Sequence, residues 1–305
     1  WVLNDTCHGL VCEERGAVIT LLSDFGAQDS YVAVMKGVIA AIAPRIPTCD
    51  LTHQVPPQDI LAARFNLMMA YAYFPLGTVH LAVVDPGVGS ARRAIALQTP
   101  SGFFVGPDNG LFSGVLDREP VLMAVSLTRS RYWRTAEPSA TFHGRDIFAP
   151  VAAHLASGVP IAQVGDRILP ETLVKPDLAP AVERQLQRGE STIRQFVGSL
   201  QYIDGFGNLI SNIPASAVPS EPWQLTIETS KETPNGSRQV PGVKTYSDVP
   251  VGALAALVGS DGYVEVACNR SSAVWALRTA TGHSAAIGDT VFLDIADDTK
   301  LHTQF

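Results

Sequence analysis

The sequence is poor in cysteine, with four among 305 residues. Cys7 and Cys12 form a C-x4-C pair, but a tetrahedral zinc site needs four ligands and no second pair follows. Cys49 and Cys268 stand alone in the sequence. We therefore expect no metal and free thiols in a reducing compartment, with a Cys7–Cys12 disulfide as the alternative in an oxidising one.

Long apolar runs and an excess of basic charge are also absent. No stretch approaches the ~20 apolar residues of a membrane-spanning helix, and the first residues lack the basic and apolar segments of a signal peptide. The net charge is −7, whereas nucleic acids and anionic membranes are bound by basic faces. We expect a cytoplasmic protein that binds neither nucleic acid nor membrane.

Strands and helices alternate along the first half of the chain. Short β-rich apolar runs are separated by segments with an apolar residue every three or four positions, and prolines end the helical segments. This order predicts an α/β domain with a mainly parallel sheet flanked by helices. The predicted strands cover residues 17–22, 49–52 and 79–84, and the predicted helices cover 29–43, 56–73 and 147–155.

Short β-rich segments dominate the second half and predict a smaller all-β domain, a sandwich or a barrel. We place the α/β domain at 17–168, a proline-containing linker at 169–190 and the β-domain at 191–305. The predicted strands of the β-domain are 193–203, 223–228, 251–258, 263–267, 273–277 and 290–295, with an exposed loop at 229–248.

Carboxylates follow or end the first three predicted strands. Asp24, Asp50 and Asp85 each fall at such a position. Because ligands of parallel α/β sheets bind outside the carboxyl ends of the strands, we expect these three side chains to share one cleft.

The glycine-rich turn after the third strand carries Asp85, Arg92 and Arg93. Its G-x-G lacks the third glycine of a dinucleotide fingerprint, and no G-x-x-x-x-G-K-[ST] occurs in the chain, so neither dinucleotide binding nor P-loop hydrolysis is favoured. The turn therefore presents a carboxylate beside two guanidinium groups. The alternative to a functional site is a tight loop in which an Asp–Arg pair has only a structural role.

Two further segments carry side chains suited to a ligand. His143 precedes a predicted helix, at whose start backbone N–H groups point outward. In the second half, a turn carries Phe206, whose ring can stack on a purine, and Asn208, whose carboxamide can pair with the purine edge. The alternatives without a ligand are a purely structural role for His143 and an ordinary hairpin turn at residues 204–208.

Together, seven segments resemble the family of S-adenosylmethionine hydroxide adenosyltransferases, the relatives of fluorinase and chlorinase. The resemblance covers roughly residues 18–293. The segments are Ser23-Asp24-Phe25-Gly26 with Asp29, Asp50-Leu51-Thr52-His53, residues 84–89 with Arg92, residues 106–110, Phe142-His143-Gly144-Arg145, residues 204–208, and residues 259–269.

The resemblance implies a catalytic triad of Asp85, Arg92 and His143. Halogenating members have Tyr at the position of Asp85 and lack the Arg–His pair, so the implied reaction is hydrolytic. It is the splitting of S-adenosyl-L-methionine into adenosine and L-methionine by in-line attack of an activated water on C5′, without a cofactor.

Substrate contacts are implied position by position. Asp24 matches the carboxylate that binds both ribose hydroxyls, and Asp29 matches a residue near the methionine amino group. The chain departs from fluorinase at Gln58 and Arg270, where that enzyme has Trp and Ala. The other implied substrate-binding residues are Phe142 and Gly144 beside the triad, Asp204 and Ser260 at the methionine end, and Phe206, Asn208, Asn269, Arg270 and Tyr246 at the adenine.

Two alternatives stay open. One is a chlorinase-like halogenase. The other is a non-catalytic protein that binds a nucleoside, or a metal held by His53, His143 and the strand-end aspartates. The resemblance also implies a homotrimer, with the nucleoside between the α/β domain of one subunit and the β-domain of its neighbour.

Overall fold

The computed structural model describes residues 18–188, 191–219, 223–229 and 237–295, and the predictions for Cys7 and Cys12 lie outside them. Cys49 and Cys268 are free thiols. The chain divides into two compact units between Pro176 and Asp177. In the described part, no helix has the length and apolar character needed to cross a membrane.

The first unit is built on a sheet of seven described strands in the spatial order β2-β1-β3-β5-β4-β6-β7. β1 and β3 are buried along their whole length, as expected for strands that read as continuous apolar runs. The strands are β1 Ile19–Ser23, β2 Thr48–Thr52, β3 Thr78–Val83, β4 Ala94–Gln98, β5 Gly102–Pro107, β6 Met123–Ser126 and β7 Asp166–Arg167.

The sheet is mixed, which corrects the expectation of a mainly parallel one. β2, β1, β3 and β5 run parallel, whereas β4 is antiparallel to both β5 and β6, and β7 is antiparallel to β6. The reason is the short connection 99–101 between β4 and β5, because a parallel crossover needs about a dozen residues. As a consequence, β3 ends and β4 begins at the same edge of the sheet.

Helices cover this sheet. α1 packs against α4 over a shared core, with Met35 and Ile39 buried one turn apart. α2 begins after Asp59, whose side chain accepts a hydrogen bond from the Ala62 N–H at 2.9 Å and so caps the helix. The helices are α1 Tyr31–Ile42, α2 Ile60–Ala70, α3 Ser113–Leu116 and α4 Ala149–Ala156, with a π-helical turn, Gly144–Phe148, directly before α4.

The second unit is an antiparallel sheet of eight described strands in the order β12-β11-β15-β9-β10-β14-β13, with β8 also paired to β9. Gly242, just after β12, bridges to Ala256 in β13, so the two ends of this order meet. The strands are β8 Val182–Arg188, β9 Ser191–Ile203, β10 Leu209–Pro214, β11 Gln224–Glu228, β12 Ser237–Pro241, β13 Leu254–Val258, β14 Tyr263–Cys268 and β15 Thr290–Ile295.

One predicted strand of the second unit is a helix. Residues 273–277 belong to α5, Ala273–Thr281. The side chain of Ser272 accepts a hydrogen bond from the Trp275 N–H at 3.3 Å, and Gly282 ends the helix with a left-handed φ of 78°. The N-terminal and C-terminal caps stabilise a helix in this segment, although its apolar composition alone favoured a strand.

Two segments expected to be irregular contain strands. Within 229–248, β12 pairs with β11 in full register. Within the predicted linker 169–190, β8 pairs with β9 as a hairpin. The last of the three prolines in that segment is Pro180, so nothing prevents ladder hydrogen bonds from Val182 onward.

Candidate active site

A cleft of about 380 Å³ opens in the first unit, beside the residues that follow β1 and β3. Since β1 and β3 are parallel neighbours, their ends lie at one edge of the sheet. The cleft is lined by Asp24, Phe25, Tyr31, Gln58, Val83, Asp85, Pro86, Val88, Thr141, Phe142, His143 and Gly144.

Asp85, in the wall of this cleft, forms a bidentate ion pair with Arg92. Arg92 Nε donates to both carboxylate oxygens, at 2.9 and 3.1 Å, and Arg92 Nη2 donates to Oδ2. The side chains are 7 % and 10 % exposed, respectively. The antiparallel direction of β4 makes this pair possible, because Arg92 precedes β4 and Asp85 follows β3 at the same sheet edge.

His143 joins this pair through Arg92. Arg92 Nη2 lies 2.8 Å from His143 Nδ1. A guanidinium can only donate, so Nδ1 accepts this bond and the neutral ring carries its proton on Nε2. Burial and then the positive charge of Arg92 lower the pKa of His143, which keeps the ring neutral. Arg92 also lies 5.3 Å from the centroid of the buried Phe148 ring.

Asp146 holds the segment that carries His143. Its fully buried carboxylate accepts from Arg145 Nε at 2.7 Å, from Arg134 Nε at 2.5 Å and from the Ser139 N–H at 2.9 Å. The hydrogen bonds from Arg145 and then Arg134 hold the pKa of Asp146 well below its usual range. This charged cluster fixes residues 134–141 against the π-helical turn.

Asp24 also lines the cleft. Its Oδ2 accepts a hydrogen bond from the Gln58 N–H at 2.8 Å. Gln58 has a left-handed φ of 66°, a conformation that costs a residue with a Cβ roughly 1–2 kcal/mol. Gln58 therefore bears backbone strain at the point where its N–H orients a carboxylate of the cleft.

Behind Asp24, His53 ties the turn after β1 to β2. His53 Nδ1 lies 2.7 Å from Ser23 Oγ, and its Nε2 lies 3.1 Å from Asp50 Oδ1. Lys36 Nζ donates to the other oxygen of Asp50 at 2.6 Å. This row has the composition of a Ser-His-Asp hydrolase triad, but Ser23 is fully buried. The row therefore positions the turn instead of supplying a nucleophile.

The structure brings two of the three strand-end carboxylates to the cleft. Asp24 and Asp85 line it, whereas Asp50 lies inside the edge strand β2 and pairs with Lys36 and His53. Asp29 is exposed before α1 and is not among the described lining residues. Among the described residues, no three His, Cys, Asp or Glu side chains form a group that could hold a metal ion.

In the second unit, Asp204 organises the turn between β9 and β10. Its Oδ1 accepts from the N–H groups of Phe206 and Asn208, at 2.9 and 2.8 Å, and its Oδ2 accepts from Asn208 Nδ2 at 2.9 Å. The Asn208 carboxamide is thereby held in one orientation. The Phe206 ring is 82 % exposed.

In the same unit, the partly exposed Tyr246 pairs with the buried Glu265. Tyr246 Oη donates to Glu265 Oε1 at 2.7 Å. Burial, and next the bond to Glu265, raises the pKa of Tyr246 to about 12. Burial also raises the pKa of Glu265, and the nearby Asp261 and Asp204 carboxylates add to this. Tyr246, Glu265 and Asp204 therefore belong to one electrostatic cluster.

The remaining predicted residues flank β14. Asn269 Nδ2 donates to the Val249 carbonyl at 2.7 Å. Arg270 is exposed with a left-handed φ of 58°, and Ser260 is exposed in the turn between β13 and β14.

The sequence reasoning missed several site residues. Phe25, Tyr31 and Thr141 line the cleft. Phe25 lies inside one of the seven family-like segments, Thr141 directly precedes another, and Tyr31 is two residues after Asp29, so position was the available signal. Glu265 is a single acidic residue within the otherwise uncharged strand β14. A charged residue in a buried strand is the signal that could have identified it.

The chain is similar to known proteins over most of its length. Models of the SAM hydroxide adenosyltransferase N-terminal and C-terminal domains match residues 19–165 and 198–286. An (R)-S-adenosyl-L-methionine hydrolase of Thermus thermophilus is 42% identical over 87% of this chain and 96% of its own. A second (R)-S-adenosyl-L-methionine hydrolase, from Salinispora tropica, is 41% identical over 87% of this chain and 95% of its own. A fluorinase of Nocardia brasiliensis is 25% identical over 90% of this chain and 97% of its own.

The chain also resembles two solved structures over about nine-tenths of its length. A conserved hypothetical protein of Thermus thermophilus superposes with a TM-score of 0.71 at 39% identity, covering 91% of this chain and 99% of that one. An uncharacterized conserved protein of Thermotoga maritima superposes with a TM-score of 0.76 at 32% identity, covering 90% and 100%. With both domain models matched in order, the chain belongs to the SAM hydroxide adenosyltransferase family.

Proposed function

We propose that this protein hydrolyses S-adenosyl-L-methionine to adenosine and L-methionine, without a cofactor. The observation that carries the proposal is the joining of Asp85 and His143, both in the cleft wall, through the guanidinium of Arg92. The hydrolases named among the relatives support the same reaction.

The sulfonium is a good leaving group, so the protein must assist the water rather than the departure of methionine. Water has a pKa near ~15.7 and histidine near ~6.5, a gap of about nine units or roughly 12 kcal/mol. Forming free hydroxide before attack would cost most of that energy. Water is instead held in line behind C5′ and loses its proton as the C–O bond forms, with inversion at carbon.

Asp85 is the proton acceptor in this mechanism. His143 Nδ1 accepts from Arg92, so the neutral ring has an N–H and no free lone pair to offer. The ring donates from Nε2 to the water oxygen, while the Asp85 carboxylate accepts a water proton. Arg92 binds both groups and sets their separation.

Substrate binding divides over the two units. Asp24 binds the ribose hydroxyls, with Phe142 and Gly144 close to the reacting carbon. The second unit supplies the adenine and methionine contacts, with Asn208 and Phe206 at the purine. By the family resemblance, the protein is a homotrimer in which one subunit's first unit and its neighbour's second unit complete each site.

The products distinguish this function from its alternatives. The protein is incubated with S-adenosyl-L-methionine, with and without chelator and with and without chloride, and the products are separated by chromatography. Adenosine and methionine in equal amounts, unaffected by chelator or chloride, are expected. 5′-Chloro-5′-deoxyadenosine would establish a halogenase, and binding without turnover would establish a nucleoside-binding protein.

Two adjacent arginines provide a matched pair of variants. Arg92→Ala is expected to lower kcat by about 10³-fold, because it removes the group that holds Asp85 and His143. Arg93→Ala loses a different ion pair, with Asp108, and should leave kcat within about twofold. Equal loss in both variants, with melting temperatures unchanged, would contradict the assigned triad.

A further inference from the structure

Three aromatic rings meet in the wall of the cleft. The Tyr31 and Phe142 ring centroids are 5.3 Å apart, Phe25 and Tyr31 are 5.6 Å apart, and Phe25 and Phe142 are 5.9 Å apart. Phe142 is nearly perpendicular to both other rings, at interplanar angles of 85° and 87°. All three side chains line the cleft that contains Asp85 and His143. We call these residues the aromatic wall.

Tyr31 is the ring of this wall that is open to a ligand. It is the first residue of α1 and is 47% exposed, whereas the Phe25 and Phe142 rings also pack against the core of the first unit. The Phe142 ring already has a cation, because the Arg145 guanidinium lies 5.2 Å from its centroid. The described ring contacts of Tyr31 are with Phe25 and Phe142.

The proposed substrate carries a charge that suits such a ring. A sulfonium is a cation without an N–H or O–H, so it cannot be recognised by a directed hydrogen bond. An aromatic face attracts a cation through its quadrupole. The carboxylate near the reacting carbon is unsuited to this task, because Asp85 is already neutralised by Arg92.

We propose that Tyr31, supported by Phe25 and Phe142, recognises the positive charge of the substrate sulfonium and selects it over the neutral thioether. This inference rests on the proposed function and names a specificity-determining residue of the same site. The group recognised is the sulfonium charge itself, distinct from the ribose and purine groups bound by residues named above.

The ring acts on affinity and not on rate. As the bond between C5′ and sulfur breaks, the electron pair returns to sulfur and its positive charge disappears. The attraction to Tyr31 is therefore greatest in the bound substrate and weaker in the transition state, so it lowers KM without raising kcat. The methionine product has a neutral sulfur, which the ring does not retain.

The test compares ligands that differ in sulfur charge. Tyr31→Leu removes the ring, Tyr31→Phe keeps it, and Tyr73→Leu, at a tyrosine that is 86% exposed and outside the cleft lining, is the control. Calorimetry on these variants in the inactive Asp85→Asn background gives Kd for S-adenosyl-L-methionine and for the neutral thioether S-adenosyl-L-homocysteine. Steady-state assays without that added substitution give kcat and KM. Melting temperatures check folding, and Tyr31→Met is a second variant without the ring.

Loss of the ring should weaken binding of the sulfonium about fivefold and change binding of the thioether less than about twofold. kcat should stay the same or rise, and Tyr31→Phe should match the unmodified protein. Equal weakening of both ligands would overturn the proposal, as would wild-type selectivity in Tyr31→Leu. Binding is measured without turnover, so a protein that binds the sulfonium selectively but releases no adenosine would refute the hydrolytic function and still decide the role of Tyr31.

Discussion

The imidazole of His143 is compatible with its neighbours in one protonation state. Arg92 Nη2 lies 2.8 Å from His143 Nδ1, and a protonated ring would place two donors and two positive charges against each other. Burial and the charge of Arg92 lower the pKa of His143. The neutral ring, with its proton on Nε2, is thus the form that keeps the triad together.

This state predicts the acid side of the pH–rate profile. Because the pKa of His143 is lowered, the ring becomes protonated only below the ordinary value of about 6.5, and kcat/KM should be constant above that pH and fall below it. The measurement is kcat/KM between pH 4.5 and 8. In His143→Gln, whose amide can accept from Arg92 and still donate, the activity is lower and this decline moves to lower pH. A midpoint above 6.5, or an unchanged midpoint in the variant, would contradict the assignment.

At this scale, the sequence predicts the triad better than the rest of the site. The parallel-sheet rule predicts the position of Asp85 at the cleft, whereas the grouping of Asp85 with Arg92 and His143 is implied by the family resemblance. Tyr31 and Glu265 have no comparable signature. An aromatic residue at a helix start is common, and the role of Tyr31 becomes visible only when the fold places it beside Phe142.

Among the elements, the turn carrying Arg92 packs closely on the segment before His143. Gly89 has a left-handed φ of 79°, and a Cβ added there would lie 2.6 Å from the Ala140 carbonyl oxygen. That distance is shorter than any real Cβ contact, so a side chain would push the two segments apart. Arg92 and His143 lie on the two sides of this contact.

We therefore expect Gly89→Ala to lower kcat/KM by at least about tenfold, because a displacement on the order of 1 Å in a catalytic group has that effect. Gly158→Ala is the matched control, since Gly158 also has a left-handed φ, of 90°, but has open space around it. Both variants bear similar backbone strain. Equal activity of the two, measured by adenosine release, would show that this contact does not position the triad.

Periodicity predicts only part of the first half, because β4, β5, β6, β7 and α3 were not among the predicted elements. All three strands and all three helices predicted before residue 168 are present. The short segments 237–241 and 273–277 were assigned wrongly because polarity and apolar content do not decide such lengths. Pairing with β11 decides the first, and the Ser272 cap decides the second.

For the whole molecule, the proposed sharing of sites between subunits can be tested by mixing inactive variants. Asp24→Ala disables the first unit, and Asn208→Ala disables the second. If each site takes one unit from each of two subunits, random reassembly of equal amounts restores about a quarter of the sites. The measurement is adenosine release before and after mixing under conditions that exchange subunits.

A second mixture serves as the control. Asp85→Asn and Arg92→Ala alter the same ion pair within the first unit, so their mixture should remain inactive. No restoration in the first mixture, once exchange is confirmed by mass, would indicate that each site is built within one subunit. Restored activity in the control would show that recovered activity does not report shared sites.

The reversed direction of β4 limits where this chemistry could be transplanted. With β4 antiparallel to β5 and β5 parallel to β3, one loop supplies both the carboxylate and the guanidinium. In a wholly parallel sheet, the strand after β3 would start at the far edge, about 20 Å away for six residues, and a crossover helix would separate the two side chains. Grafting the pair onto a doubly wound scaffold would therefore also require inserting a reversed strand.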